Sequence, residues 1–282
     1  MSATIDGHVH LWERARHPQD WIDPATMSRI DRDFGVAELR AMLALTDVDT
    51  AVLVQSVNSF DETVDLLALA DDPAVSGVVG WVDLTGDVAE QVAVLRAGAG
   101  GDALCGIRHL AHVERDAAWL LSDDVARGLD ALAADGLVFD LILRDYQLPL
   151  AHSIVRAHPE LGFVLDHLGN PPLGDDLTVW RRNLTALAGE PNVSAKLSGL
   201  VTAVGRHPWP ALELARAVEV GLEAFGPKRL LYGSDYPVVE LAAGAEDWES
   251  TLRRTLASLS SQEQDAIFGG TAAAVYRAPV TA

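Results

Sequence analysis

The segment Ile5-Asp6-Gly7-His8-Val9-His10 carries the first pattern in this chain that could do chemistry. Side chains alternate along an extended strand, so His8 and His10 project from one side, a single step apart. Two neutral imidazoles that converge at a strand end can ligate a metal or polarise a substrate oxygen. Far along the chain, Tyr232-Gly233-Ser234-Asp235-Tyr236-Pro237 follows the apolar pair Leu230-Leu231 and sets a carboxylate just beyond another strand. First and last strands are neighbours in a closed barrel, which would bring Asp235 to the two histidines. Other polar residues end apolar, strand-like runs in the same way: Arg108, His167, Lys196 and Ser198. Any one of these alone reads equally well as a satisfied core group, Lys196 paired with a barrel acid or Asp235 capping the turn after Ser234. Their shared position at strand ends points to a site.

The elements that must position them follow from hydrophobic spacing. Near-continuous apolar runs predict strands at 5–10, 50–55, 75–84, 104–108, 138–143, 162–167, 192–198 and 229–232. Helical spacing predicts helices at 36–45, 63–70, 88–97, 125–134, 150–157, 177–187, 210–225, 246–259 and 263–275. Eight strands alternating with helices, with no Pro-, Gly- or Ser-rich linker between them, predict an α/β fold, a (β/α)8 TIM barrel forming a single domain over residues 1–282. The competing doubly wound sheet lacks its usual G-x-G-x-x-G or Walker signature. Functional groups in such a barrel sit at the C-terminal ends of the strands.

Composition narrows the partners. The 282 residues are 49% hydrophobic and 22% charged, enough for a large core. A formal charge of -20 opposes phosphate backbones and anionic lipid, so neither nucleic acid nor a membrane is expected as partner. The one cysteine, Cys105, excludes an intrachain disulfide and reads as a buried structural thiol. Met1-Ser2-Ala3-Thr4 lacks the basic and apolar regions of a secretion signal, which makes the cytoplasm the expected location. Oligomeric state is not encoded in any feature of this kind.

Five motifs in order, His8-Val9-His10 after Asp6, Gly106-Ile107-Arg108-His109, Val164-Leu165-Asp166-His167-Leu168-Gly169-Asn170-Pro171, Lys196-Leu197-Ser198-Gly199 and Gly233-Ser234-Asp235-Tyr236-Pro237, resemble the amidohydrolase superfamily. Within it they are similar to the amidohydrolase-related branch, and Leu11-Trp12, Trp21 and Arg108-His109 before an acidic loop look most like sugar lactonases acting on L-fuconolactone or L-rhamnonolactone. The resemblance implies hydrolysis of a sugar-acid lactone. Asp235 would take a proton from water, His8, His10 and His167 would stabilise charge on the carbonyl oxygen, and Arg108 would hold the carbonyl or a ring hydroxyl. Lys196, His109, Trp12 and Trp21 would complete substrate binding, the tryptophans by stacking on the sugar ring.

Where two-metal members of the superfamily carry a bridging group at strand four and a histidine at strand five, this chain has Arg108 and then Arg144-Asp145-Tyr146. A two-metal centre is therefore not expected. The resemblance implies either no essential cofactor or one divalent metal, zinc above others, on His8, His10, His167 and Asp235. The rival within the superfamily is metal-dependent non-oxidative decarboxylation; a sugar-acid binding protein without turnover is a second. His112 is loop-borne and faces substrate or solvent, whereas His17, His152, His158 and His207 are expected at the surface. Trp180, Trp209 and Trp248 are expected in helix packing.

Overall fold

The computed structural model describes residues 3–116, 118–204 and 211–276. Its strands are β1 (Ile5–Val9), β2 (Thr50–Val54), β3 (Val75–Gly80), β4 (Leu104–His109), β5 (Val138–Leu141), β6 (Gly162–Leu165), β7 (Val193–Leu197) and β8 (Leu230–Tyr232). They pair in sequence order, all parallel. β1 and β8 close the ring at the top, where the His10 N–H donates to the Tyr236 carbonyl at 2.7 Å and the Asp235 N–H to the His8 carbonyl at 2.9 Å. The fold is the expected (β/α)8 barrel. Among the described residues, no helix is long and apolar enough to cross a membrane.

The helices are α1 (Val36–Leu43), α2 (Phe60–Leu67), α3 (Val88–Ala97), α4 (Asp123–Ala134), α5 (Leu148–Ala157), α6 (Thr178–Ala188), α7 (Leu200–Val204), α8 (Ala211–Phe225), α9 (Ala245–Thr255), α10 (Ser261–Asp265) and α11 (Thr271–Tyr276). Boundaries differ from the periodicity where side chains intervene. α2 begins three residues early because the Ser59 hydroxyl caps it through the Glu62 N–H. β3 stops at Gly80 because the next N–H, that of Trp81, donates to the Thr63 hydroxyl and not to a strand. The expected last helix is broken between α10 and α11 by Gly269, where an added Cβ would come within 2.2 Å of the Ala3 carbonyl oxygen. Of the expected 210–225 helix, residue 210 lies outside the described residues, as do His207 and Trp209.

A cluster of Val52, Val54, Val79, Val138, Val164 and Leu231 fills the barrel, and Ala272 and Tyr276 of α11 pack against it. Against this apolar surround Asp140, Asp166 and Lys196 are completely buried, as is Asp6 below the Asp235 turn. Charges without solvent persist only when paired. How they pair determines the site above them.

Candidate active site

Asp166, in the turn after β6, is the hub. Its Oδ2 accepts from Arg108 at 2.9 Å, and its Oδ1 lies 3.0 Å from the Lys196 ammonium and 3.2 Å from His8 Nδ1. Burial alone would raise this carboxyl, but Lys196, His8 and Arg108 hold it well below the usual range. Lys196 also donates to Asp140 at 2.6 Å and lies 3.0 Å from His8 Nδ1. Its three N–H groups are thereby spoken for. Asp140 takes a further hydrogen bond from the Tyr276 hydroxyl at 2.8 Å, and burial still pushes it up to about 6.

Above this ion cluster lie the histidines. His10 Nδ1 faces the Val54 carbonyl at 2.7 Å, so it carries the proton and leaves Nε2 bare. His8 Nε2 lies 3.1 Å from that bare nitrogen, and 3.4 Å from Arg108. Asp235 Oδ1 is 3.7 Å from His8 Nε2 and 3.6 Å from His10 Nε2. The His167 ring meets His8 edge-on with centroids 4.7 Å apart, its Nδ1 bonded to the Ser198 hydroxyl at 2.8 Å. Burial depresses both His8 and His167, which keeps their imidazoles neutral.

The backbone here is held in uncommon conformations. His167 and Asp235 adopt left-handed φ angles of 55° and 63°. Non-glycine residues in this region cost on the order of 1–2 kcal/mol and collect at functional sites. Asp6 supports the Asp235 turn, its Oδ1 accepting from the Ser234 and His8 N–H groups. Gly199, at φ 65°, lies under His167, and an added Cβ would stand 2.6 Å from the imidazole Nδ1. Gly199→Ala is therefore expected to displace His167, lowering kcat at least tenfold and stability by about 1–2 kcal/mol; steady-state kinetics and thermal unfolding measure the two.

The structure thus brings His8, His10, His167, Arg108 and Asp235 to one rim, as the sequence predicts. The other expected substrate contacts have the following surroundings. Lys196 is fully buried and its donors are engaged by Asp140, Asp166 and His8, so it serves the ion cluster beneath the site. Trp12 is buried under the first loop, its Nε1 donating to the Arg32 carbonyl and its ring stacked on His10. His109 accepts from Trp81, pairs with Glu114 and stacks on Trp119 at 3.9 Å, leaving it no face for a ligand. Trp21 remains 40% exposed, edge-on to Trp12, and is still placed to stack. Arg108 donates to Asp166 and to both oxygens of Gln55, and its Nη1 lies 3.4 Å from His8 Nε2; its Nε lacks a partner among the described residues.

Two expected surface histidines are also buried, His17 against Asp65 and His158 against Asp130. His152 pairs with Glu190. Cys105, expected to be buried, is half-buried, its thiol donating to the Val78 carbonyl at 3.3 Å and raised well above its ordinary value by desolvation. The residues passed over are Asp166, Asp140, Gln55 and Asp6. Asp166 and Asp6 had a signal, standing beside His167 and His8 in their motifs; Asp140 and Gln55 had none, because a polar residue at or within an apolar run gives no hint of its partner.

His8, His167 and Asp235 offer ligand atoms that all lie within 4.8 Å of one another. The 3.1 Å between the Nε2 atoms of His8 and His10 is close to the roughly 3.3 Å edge of a tetrahedral zinc site with Zn–N near 2.05 Å. Asp166 beside His8 Nδ1 supplies the carboxylate partner that metal-bound histidines favour. The donor set fits one divalent metal, and Arg108 beside it disfavours a second.

Residues 5–278 match the family model described as Amidohydrolase. The chain is 37% identical over 289 residues to an L-fucono-1,5-lactonase of Burkholderia multivorans, covering 98% of this chain and 96% of that one. A second L-fucono-1,5-lactonase, from Burkholderia ambifaria, is 34% identical over 284 residues, with the same coverage. Among solved structures, an amidohydrolase from Burkholderia multivorans with bound zinc superposes with a TM-score of 0.92 at 36% identity, covering 99% of this chain and all of that one. Barrel, rim constellation and full-length similarity agree: this chain belongs to the amidohydrolase family.

Proposed function

We propose that the enzyme hydrolyses the ester bond of a sugar-acid lactone, of the class of L-fucono-1,5-lactone, to the open hydroxy acid. The observation that carries this reading is the Asp235 carboxylate beside the two Nε2 atoms of His8 and His10, in a chain 37% identical to an L-fucono-1,5-lactonase. A water held by Asp235 attacks the lactone carbonyl carbon while the carboxylate takes its proton. Charge gathering on the carbonyl oxygen is met by N–H donors from His8 and His167 and by the free Nε–H of Arg108. As the tetrahedral centre collapses, the ring C–O bond breaks and the proton passes from Asp235 to the departing ring oxygen, which becomes the hydroxyl. The new carboxylic acid ionises and releases a proton.

His8, His10, His167 and Asp235 would hold a divalent metal, zinc in the zinc-bound relative; when bound, it supplies Lewis acidity at the carbonyl. The proposal has a small-molecule partner only, without nucleic acid or membrane, and a cytoplasmic location. An indicator assay on sugar 1,4- and 1,5-lactones, run with and without chelator, tests it. Acid release from L-fucono-1,5-lactone is the expected result, and its persistence under chelation would assign the charge stabilisation to the protein's own N–H groups. No release from any lactone by zinc-loaded protein would overturn it and favour decarboxylation.

A further inference from the structure

Arg144, His112 and the Nε of Arg108 stand apart from the network that holds the rest of the rim together. His112 lies on the 3-10 turn Ala111–Val113 that follows β4, and Arg144 on the turn that follows β5. The buried Gln147 side chain ties the two turns, its Oε1 accepting from the Arg144 N–H at 2.8 Å and its Nε2 donating to the Ala111 carbonyl at 3.5 Å. Asn170, after β6, donates to the Leu143 carbonyl at 2.6 Å and fixes the same turn from the other side. This gives Arg144 and His112 a rigid base.

Their polar ends are nonetheless unused. His112 Nδ1 and Arg108 Nε are buried atoms without a hydrogen-bond partner among the described residues. The Arg144 guanidinium likewise takes no carboxylate there, although acids outnumber bases two to one in this chain. A buried polar atom left unpaired is a cost that folded chains rarely keep without a use. The turns place these groups on the β4–β6 arc, and Asp235 and His10 stand on the β8–β1 arc. Catalytic proton transfer belongs to the second arc. On the first, Arg108 and His167 meet the carbonyl oxygen, and the turns beyond them are left for what the lactone carries besides its ester.

We propose that His112 and Arg144 form a subsite for the ring hydroxyls of the substrate, beside the Arg108 Nε that meets the carbonyl oxygen. This rests on the lactonase reading and adds the residues that select a polyhydroxylated ring over a bare one. Arg144 donates, and a neutral imidazole both donates and accepts, which suits a pair of neighbouring hydroxyls. Burial, with the charges of Arg144 and Arg108, holds His112 down at about 4, so the imidazole is neutral at physiological pH. Sites that hydrogen-bond substrate hydroxyls discriminate strongly against analogues lacking them, because the buried partners are then left unpaired.

The test compares kcat/KM for L-fucono-1,5-lactone with that for δ-valerolactone, the six-membered lactone without hydroxyls, in wild type, His112→Phe and Arg144→Met. Each substitution is expected to lower the ratio of the two values by about 10- to 100-fold, the worth of one hydrogen bond that involves a charged or buried group. Arg144 is exposed, so its variant is expected to fold even if His112→Phe does not. An unchanged ratio in Arg144→Met, or a parallel loss on both lactones, overturns the subsite while leaving lactonase activity standing. Wild-type protein inactive on both lactones overturns the lactonase reading, and the subsite with it.

Discussion

Asp235→Asn is expected to lower kcat for lactone hydrolysis by about 10³-fold while leaving KM within a few-fold of wild type. Asparagine keeps the shape of the side chain and tolerates the left-handed φ of 63° better than any residue except glycine and aspartate. The N–H that closes the barrel onto the His8 carbonyl belongs to the backbone and is untouched. In metal-free protein the change therefore removes proton acceptance and little else. The histidines do not readily replace it: the bare Nε2 of His10 faces His8 Nε2 at 3.1 Å, and burial keeps His8 and His167 from holding a second proton. Steady-state kinetics on the sugar lactone, with thermal unfolding to confirm an intact fold, make the measurement. A variant as fast as wild type would show that Asp235 is not the base.

Lys196→Met carries the largest expected loss of stability. It is nearly isosteric, so packing survives, but Asp140 and Asp166 are left buried without the cation they share. Breaking a buried ion pair from one side costs about 3–5 kcal/mol, a fall in Tm on the order of 10 °C for a chain of this size. The loss should depend on pH in a definite direction. Asp140, already near 6 with Lys196 present, rises further without it. Between the unfolded value of 3.8 and that raised folded value, the native state holds a proton that the unfolded state does not, so acidification favours the native state. The penalty is expected to be smaller at pH 5 than at pH 8, and adding Asp140→Asn should recover part of it at the higher pH. Denaturant unfolding of the single and double variants at both pH values decides. A penalty that grows on acidification would mean that Asp140 does not take up the proton.

The same variant is expected to slow catalysis, since Arg108 alone would then balance the charge of Asp166. The pairing of Lys196 was not visible in the sequence. A lysine at a strand end near the rim is chemically suited to touch a ligand; only the positions of Asp140 and Asp166 show that its donors are occupied. Trp12 follows the same logic. Its neighbour Leu11 and its place at the mouth of the first strand suit a stacking platform, but the loop through Phe34 folds back over it, and long-range loop closure is invisible to local spacing.

Strand order, barrel closure and the rim membership of His8, His10, Arg108, His167 and Asp235 were legible in the chain itself. Period-two alternation, apolar run length and the breaks at Gly and Pro are local properties, and a parallel barrel converts them into position by a rule that admits few alternatives. What each polar group does there was decided by tertiary structure alone. Hydrogen-bond capacity is finite, and whether a donor is spent inside the fold or left over for a ligand depends on residues distant in sequence. Lys196 spends its three donors on Asp140, Asp166 and His8, Arg108 keeps one, and His112 keeps a buried nitrogen, a division that only the packed barrel could make.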